Sequence, residues 1–250
     1  MPSKLGRIKK QNSGKSRLIG GGIMSRTPTT KKFDLLPDHI AFVPDGNGRW
    51  AERRGLPRLE GHREGAENMY RMVQYLNEYP IKYLTLYGFS TENWSRPEEE
   101  VRGLLQLLEE WINEHLTEIN ERGIQLRHLG RLYELPPNLQ QAINRAVEVT
   151  RNNTKMTLNV AFNYGGRAEI VDAARRLLTE DIPPENIDEE FFENYLYTAG
   201  LPNVDLLIRT GDELRFSNFL IWQTHYSEYH FTKVLWPDFG KVVFAISCLP

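Results

Sequence analysis

The sequence has few residues of the kinds that cross-link a chain or anchor it in a membrane. Cys248 is its single cysteine, so no disulfide can form within the chain, and we expect a reducing, cytoplasmic location. No apolar run approaches the roughly 20 residues of a membrane span. The sequence also lacks the H-E-x-x-H pattern, Cys/His spacings typical of zinc sites, and the G-x-S-x-G elbow. These absences disfavour a zinc enzyme and an α/β-hydrolase.

Acidic residues are absent from the first 33 positions, which contain nine of the 31 Lys and Arg residues. This segment also holds three consecutive glycines and no apolar periodicity, so we predict a disordered basic tail over 1–33. Residues 34–250 then carry 22 basic and 33 acidic groups. We expect one domain over 34–250, and its acidic balance argues against nucleic acid as a partner.

Apolar patterns of strand and helix type alternate from residue 39 onward. Such alternation predicts an α/β fold, with a mostly parallel central sheet and helices on both faces. The predicted strands cover 39–44, 83–87, 124–129, 156–162, 204–208 and 231–235. The predicted helices cover 62–79, a long segment from 97, 139–147, 170–177 and 216–229.

The first predicted strand ends in the stretch Asp45-Gly46-Asn47-Gly48-Arg49-Trp50. Glycines allow close approach of backbone N–H groups, and a helix start adds free donors. Arg49 can add a charge-assisted contact to an anion. A carboxylate beside a phosphate repels it unless a cation lies between them, and Mg²⁺ is typically held by one or two carboxylates plus substrate phosphates. The stretch therefore predicts a Mg²⁺-diphosphate site at Asp45.

Two other interpretations of this stretch remain open. Residues 46–51 also fit G-x-G-x-x-A, a dinucleotide fingerprint, although Glu67 falls inside a helical pattern rather than after the next strand. An ordinary Asn-Gly turn is the second interpretation. A phosphate loop at Ser13-Gly14-Lys15-Ser16 fails, because Lys9 occupies the position of its first glycine.

Arginine follows four of the predicted strands. Arg49 follows the first, Arg96 the second, Arg167 the fourth, and Arg209 with Arg215 the fifth. Ligands of parallel α/β sheets bind beyond the carboxyl ends of the strands. We therefore expect several of these arginines to converge on one phosphate-binding cleft, although each taken singly also fits a solvated surface residue.

Five long stretches resemble the cis-prenyltransferase family, in the family's order. They are HIAFVPDGNGRWA, FSTENWSRPEEEV, LNVAFNYGGRAEI, DLLIRTGDELRFSNFLIWQ and VLWPDF, and they span residues 39–239. The resemblance implies a single catalytic domain with an apolar tunnel, here expected along the helices from 62 and 97. It also implies Mg²⁺-dependent condensation of isopentenyl diphosphate with an allylic diphosphate, farnesyl diphosphate foremost. The product would be a medium-to-long polyprenyl diphosphate, a lipid carrier precursor.

The resemblance also implies roles for individual residues. Asp45 matches the family's catalytic, Mg²⁺-linked aspartate, and Glu228 matches a second metal ligand. The diphosphate of the allylic substrate would be cradled by Gly46, Asn47, Gly48 and Arg49, with Trp50, Arg58 and His62 beside them. A mobile loop would close over the substrates with Ser90, Thr91, Glu92, Asn93, Trp94 and Arg96. Isopentenyl diphosphate would contact Arg209, Arg215, Phe216 and Ser217.

Asn93 matches the residue to which the family assigns proton acceptance. An amide is a poor base, so we expect Asn93 to position a group while a diphosphate oxygen takes the proton. The glycine at Gly88 leaves open a position that short-chain members fill, and Met156 is expected near the tunnel floor. Both features favour a longer product.

The family forms homodimers that contact the membrane peripherally through the lipid product. Its members continue after the Trp-Pro-Asp-Phe stretch into an arginine-rich tail that reaches the neighbouring active site. The corresponding residues here, 240–250, contain no arginine, so we expect this tail to be missing. That departure keeps open an alternative function, a non-catalytic partner subunit of a cis-prenyltransferase.

Overall fold

The structure is a computed structural model, which describes residues 36–247 and the side chains up to residue 245. The predicted basic tail over 1–33 and Cys248 lie outside the described residues. Within residues 36–247, no helix combines the length and apolar character that crossing a membrane requires.

Strands and helices alternate along the described chain. The strands are β1 His39–Val43, β2 Tyr83–Ser90, β3 Ile124–Leu129, β4 Met156–Tyr164, β5 Leu206–Arg209 and β6 Glu228–Phe231. The helices are α1 Asn47–Glu52, α2 Arg58–Leu76, α3 Glu98–Glu121, α4 Pro137–Thr150, α5 Gly166–Thr179, α6 Glu189–Glu193 and α7 Lys241–Ser247. Short 3₁₀ turns cover Thr91–Ser95, Leu132–Glu134, Pro184–Asn186 and Trp236–Asp238.

All six strands form one sheet in the order β3-β4-β2-β1-β5-β6, and every neighbouring pair is parallel. The predicted α/β fold class is confirmed. Because β1 lies between β2 and β5, the residues that follow these three strands meet at one edge of the sheet. That edge is where the sequence predicts the ligand.

Both faces of the sheet are buried, as expected for a parallel sheet. Along β1, Ile40 and Phe42 belong to a core that also contains side chains of α2, α3, α4 and α7. Ala41 and Val43 point to the opposite face, where a second core includes Tyr164 and residues from 204–220. The apolar run of the first strand is continuous because its side chains alternate between the two buried cores.

The predicted helix over 216–229 is wrong. This segment is a series of turns, and β6 begins at Glu228, three residues before the predicted strand at 231–235. Ser217, Asn218 and Leu220 have φ values of +48°, +63° and +45°, which a right-handed helix does not allow. The apolar spacing of this segment arises from burial of Phe219 and Leu220 against the sheet, which imitates helical periodicity.

Helix α1 packs closely on α2 through two glycines one turn apart. A Cβ at Gly61 would lie 2.0 Å from the Asn47 carbonyl oxygen, and one at Gly65 would lie 2.5 Å from the Asn47 Oδ1 atom. Neither backbone position leaves room for a side chain. The G-x-x-x-G spacing in α2 therefore fixes where α1, and the stretch that begins it, lies.

Candidate active site

The exits of β1 and β5 lie side by side, because Val43 pairs with Arg209. The Asp45 carboxylate lies between two guanidinium groups. Arg209 Nη2 donates to Asp45 Oδ2 at 2.8 Å, and Arg49 Nη2 donates to Asp45 Oδ1 at 3.2 Å. The Asp45 side chain is 31% exposed, so its carboxylate borders solvent while both oxygens are held.

Thr210 locks the backbone of this carboxylate to the neighbouring strand. Its hydroxyl donates to the Asp45 carbonyl oxygen at 2.7 Å and accepts from the Asp45 N–H at 2.9 Å. Next to it, Gly211 has φ +85°, and a Cβ there would lie 2.7 Å from Arg49 Nη2. Sequence reasoning placed both residues in a strand exit but assigned neither of them a role.

Arg209 is almost fully buried, at 4% exposure, and both of its terminal nitrogens donate hydrogen bonds. Nη1 donates to Ser217 Oγ at 2.7 Å and to the Arg215 carbonyl oxygen, which bends the loop over 210–217 around the guanidinium. The Nε atom has no hydrogen-bond partner among the described residues. A buried, charged donor without a partner is costly, so this edge of the site favours an additional acceptor such as an anion oxygen.

The sequence assigned Asp45 to the allylic diphosphate and Arg209 to isopentenyl diphosphate, and this division stays a prediction. The two side chains are in direct contact, because their strands are neighbours. Of the other residues assigned to isopentenyl diphosphate, Ser217 contacts Arg209. Arg215 and Phe216 are exposed: the Arg215 guanidinium pairs with Glu213, and the Phe216 ring packs on Tyr229 at 5.1 Å between centroids.

A second group of cations surrounds Glu100 at the start of α3, a residue that the sequence did not single out. Its carboxylate lies 2.8 Å from Arg96 Nη1, 3.3 Å from His62 Nε2 and 3.6 Å from Arg58 Nε. Partial burial raises the pKa of Glu100, but Arg96 and the other cations outweigh it and the pKa lies below its usual value. Glu100 thus holds together three residues that the sequence predicted separately.

His62 is expected to be neutral near pH 7. Burial lowers the pKa of its imidazole, and Arg96 lowers it further, against the opposing effect of Glu100. A neutral imidazole beside two arginines leaves the positive charge of this group on the guanidinium groups of Arg58 and Arg96. The group retains a net positive charge, because two arginines face the single Glu100 carboxylate.

The turn Thr91–Ser95 after β2 is tied to the exits of β4 and β5. Trp94 Nε1 donates to Asn163 Oδ1 at 2.8 Å, and Asn218 Nδ2 donates to Glu92 Oε1 at 2.7 Å. Asn93 Oδ1 accepts the Ser90 N–H at 3.1 Å and completes a capping box with the Ser90 side chain. The side-chain oxygen of Asn93 therefore holds this turn in place. This contact fits a positioning role for Asn93 rather than the role of a base.

Residues 46–50 surround the start of α1, whose first N–H groups lack intrahelical partners by geometry. Gly46 has φ +107°, and a Cβ there would lie 2.7 Å from Leu235. A Cβ at Gly48 would lie 2.6 Å from the Arg58 guanidinium, so Arg58 crosses directly over this turn. Trp50 contacts other residues of this edge: its Nε1 donates to Asp238 Oδ1 at 2.8 Å, and Arg54 lies over its ring at 4.0 Å.

Glu228 does not join Asp45 within one chain. It pairs with Leu206 at the amino end of β5, whereas Asp45 follows the carboxyl end of β1. Three strand residues separate Glu228 from the carboxyl edge, about 10 Å at 3.3 Å per residue. Within one chain, Glu228 therefore lies at the amino edge of the sheet and Asp45 at the carboxyl edge, because β6 runs parallel to β5.

The donors at Asp45 fit a Mg²⁺ ion that is shared with a substrate phosphate. One partly exposed carboxylate, with cationic groups and free backbone N–H groups nearby, is the set with which proteins hold Mg²⁺ and diphosphate together. Imidazole or thiolate ligands, which would favour other metals, are not in contact with Asp45 among the described residues. Asp45 is thus the side chain that would hold the ion.

The small apolar cavity in the described structure lies between α3, α4 and the sheet. It is lined by Leu108, Trp111, Ile112, Leu126, Arg127, His128, Ile143, Ala146, Val147 and Val160. The expected tunnel between α2 and α3 stays a prediction. A Cβ at Gly88 would lie 3.1 Å from the Phe162 ring, so this position is filled by a neighbour rather than open.

Comparison with known proteins identifies the family to which the whole described chain is similar. A family model described as "Putative undecaprenyl diphosphate synthase" matches residues 43–249. The isoprenyl transferase of Heliobacterium mobile is 49% identical over 210 residues, which are 82% of this chain and 81% of that protein. The isoprenyl transferase of Bacillus subtilis strain 168 is 50% identical over 210 residues, with the same coverage of both chains.

Solved structures agree. Lavandulyl diphosphate synthase from Lavandula x intermedia, crystallised with dimethylallyl diphosphate, has a TM-score of 0.81 and 35% identity, covering 85% of this chain and 93% of that one. A probable undecaprenyl diphosphate synthase from Campylobacter jejuni has a TM-score of 0.70 and 31% identity, covering 84% of this chain and 92% of that one.

Proposed function

Because this chain belongs to the undecaprenyl diphosphate synthase family of prenyltransferases, we propose that it condenses isopentenyl diphosphate with an allylic diphosphate, farnesyl diphosphate foremost. The reaction depends on Mg²⁺ and yields a medium-to-long cis-polyprenyl diphosphate. The observation that carries the proposal is the Asp45 carboxylate, held between Arg49 and Arg209 beside the start of α1.

The first chemical step breaks the allylic C–O bond, so negative charge grows on the departing diphosphate. The N–H groups at 47–49, Arg49 and the Arg58 guanidinium above Gly48 are the donors that face this charge. When bound at Asp45, Mg²⁺ supplies further neutralisation of the diphosphate. Arg49 and Arg209 fix both carboxylate oxygens of Asp45, so the carboxylate needs little reorganisation before the reaction.

The second step joins the double bond of isopentenyl diphosphate to the cation-like allylic carbon, and loss of a proton leaves a new cis double bond. We assign the diphosphate of this substrate to Ser217 and to Arg209, whose Nε atom has no hydrogen-bond partner among the described residues. Asn93 holds the turn over 91–95 through Ser90, and a diphosphate oxygen receives the proton. No covalent nucleophile is required.

We also propose that the active unit is a homodimer formed through the edge strand β6. Phe216, Tyr226 and Tyr229 expose 40%, 91% and 39% of their surface beside this edge, and an unpaired strand edge is prone to association. If two copies pair β6 antiparallel about a two-fold axis, Glu228 of the partner subunit lies beside the carboxyl end of this chain's β6. That arrangement would place the predicted second metal ligand on the edge that carries Asp45.

The enzyme would act in the cytoplasm and contact the membrane peripherally through its lipid product. The alternative is a non-catalytic partner subunit, which would bind the diphosphates without turnover. The contacts of Arg49 and Arg209 with the Asp45 carboxylate favour the enzyme.

Incubation of the purified chain with farnesyl diphosphate, labelled isopentenyl diphosphate and Mg²⁺ tests the proposal. We expect labelled polyprenyl diphosphates longer than the primer, and their loss in Asp45→Asn. If the chain by itself binds both diphosphates but forms no product, the partner-subunit function is supported. Absence of binding would reject both.

A further inference from the structure

A buried histidine on α3 lies beside two carboxylates, one on α2 and one on α3. His115 is 8% exposed, and its Nε2 atom has no hydrogen-bond partner among the described residues. The nearest charged atom is Glu67 Oε1 on α2, at 3.9 Å. Leaving a buried imidazole nitrogen unsatisfied is costly, so this position needs a partner that the chain itself does not supply.

Glu114 on α3 completes the group. One ligand atom from each of Glu67, Glu114 and His115 lies within 4.8 Å of the other two. Within the described residues, no Lys or Arg forms an ion pair with Glu67 or Glu114. Other carboxylates of the same two helices are paired in this way, for example Glu64 with Arg71 and Glu118 with Arg122.

The imidazole of His115 is held in place by aromatic rings. Tyr70 of α2 stacks on it with 3.9 Å between centroids and an 18° interplanar angle, and Trp111 meets it at 5.3 Å and 63°. Its Nε2 direction is therefore set by packing. The two glutamates are at the surface, where Glu67 is 44% exposed, and their flexible side chains can adjust to a ligand.

We propose that Glu67, Glu114 and His115 form a binding site for a divalent transition metal, with Zn²⁺ as the ion that fits best. One imidazole with two carboxylates is a Zn²⁺-type donor set, and the imidazole disfavours Mg²⁺ and Ca²⁺. Tetrahedral ligands about 2.1 Å from an ion lie about 3.4 Å apart, so side-chain rotations of the two surface glutamates close the site. A solvent molecule takes the fourth position.

The site would join α2 to α3, because Glu67 lies on one helix and Glu114 with His115 on the other. It is distinct from the group around Glu100, which lies about four turns earlier on α3. An ion bound here stabilises the folded chain, since the unfolded chain does not hold the three ligands together.

The competing explanation is an ion pair between a protonated His115 and Glu67, with no metal. An ion pair leaves Glu114 without a role and predicts no metal affinity.

Zn²⁺ titration of the metal-stripped full chain distinguishes the two. Millimolar Mg²⁺ is kept in the buffer to occupy oxygen-only sites, and a chromophoric chelator reports free Zn²⁺. We expect one Zn²⁺ per chain and a melting temperature raised by about 5 to 10 °C when free Zn²⁺ is about 100 times Kd.

Glu67→Gln, Glu114→Gln and His115→Gln should each weaken Zn²⁺ binding at least about 10-fold. Glu60→Gln and Glu121→Gln are the matched controls, because each replaces an exposed glutamate two turns away on the same helix and should leave the affinity unchanged. If His115→Gln fails to fold, the Glu67→Gln and Glu114→Gln variants still test the proposal. No saturable Zn²⁺ binding, or equal affinity in the variants and the controls, overturns the proposal.

Discussion

Arg209 Nη2 lies 2.8 Å from Asp45 Oδ2, although the two residues are 164 positions apart. The contact joins the exits of β1 and β5, and it places the guanidinium that was assigned to one diphosphate on the carboxylate that was assigned to the other. The two phosphate sites of the proposed reaction therefore share a charged pair. A substitution at either residue should therefore change the binding of both substrates.

Replacing Asp45 by Asn should lower kcat at least about 100-fold, because the charge that would hold the ion is lost while the shape is kept. The folded state should survive, since the amide oxygen can still accept from one arginine. Steady-state kinetics with saturating substrates and Mg²⁺ measure the effect, and circular dichroism checks the fold. Turnover within a factor of a few of the original chain would remove Asp45 from the mechanism.

Arg209→Ala should weaken the binding of both diphosphates and lower kcat, since it also removes the guanidinium that holds Asp45 Oδ2. Arg215→Ala should change the KM for isopentenyl diphosphate only, by less than about 10-fold, because its guanidinium is exposed and pairs with Glu213. Separate KM values for the two substrates measure the difference. If both variants changed the two KM values in the same way, the expected difference between Arg209 and Arg215 would be contradicted.

Gly211→Ala should reduce activity more than its backbone strain alone explains. The new Cβ would lie only 2.7 Å from Arg49 Nη2 and would displace that guanidinium. Gly200→Ala is a matched control: Gly200 has φ +76°, and a Cβ there would meet nothing within 4 Å. Both variants should lose about 1 to 3 kcal/mol of stability. Only Gly211→Ala should also lower kcat, and equal kcat in both would show that Arg49 adapts.

Gly88→Leu should destabilise the fold by about 1 to 3 kcal/mol, because even its Cβ would lie 3.1 Å from the Phe162 ring. The sequence predicted instead that Leu here shortens the product. Adding Phe162→Leu should recover part of the stability in chemical denaturation. Chromatography of dephosphorylated products tests whether residue 88 controls product length. A stable Gly88→Leu variant that makes shorter products would support the sequence-based prediction.

Stability should fall as the pH drops from about 6.5 to about 4, in part through His128. Burial lowers the pKa of this imidazole to about 4, against the opposing effect of the Phe162 carbonyl oxygen. The unfolded chain binds the proton first in that range, so unfolding is favoured as pH falls, by at most about 3 kcal/mol.

His128→Gln isolates this contribution, because Gln can still donate to the Phe162 carbonyl oxygen. Denaturation at pH 7 and pH 5 should show a smaller loss of stability for the variant than for the original chain. Burial also lowers the pKa values of His39 and His62, so part of the slope should remain. An unchanged slope would exclude His128 as a contributor.

The sequence by itself determined the class of the fold and the edge of the sheet that carries the site. Alternating apolar periods of two and 3.6 residues are local properties, and parallel strands place their exits together by topology. Asp45, Arg49 and Arg96 could therefore be placed at that edge from their positions after β1 and β2. The motif stretches indicated the family for the same reason, because they are contiguous in the chain.

Only the tertiary structure decided which residues touch. The Asp45–Arg209 pair and the group of Arg58, Arg96 and His62 around Glu100 depend on strand order and helix packing, which no local pattern records. The segment over 216–229 imitated a helix because Phe219 and Leu220 are buried by the sheet, while the left-handed backbone at Ser217 and Asn218 breaks any helix. Glu228 begins β6 beside Leu206, at the opposite edge of the sheet from Asp45, and its role as a second metal ligand stays a prediction.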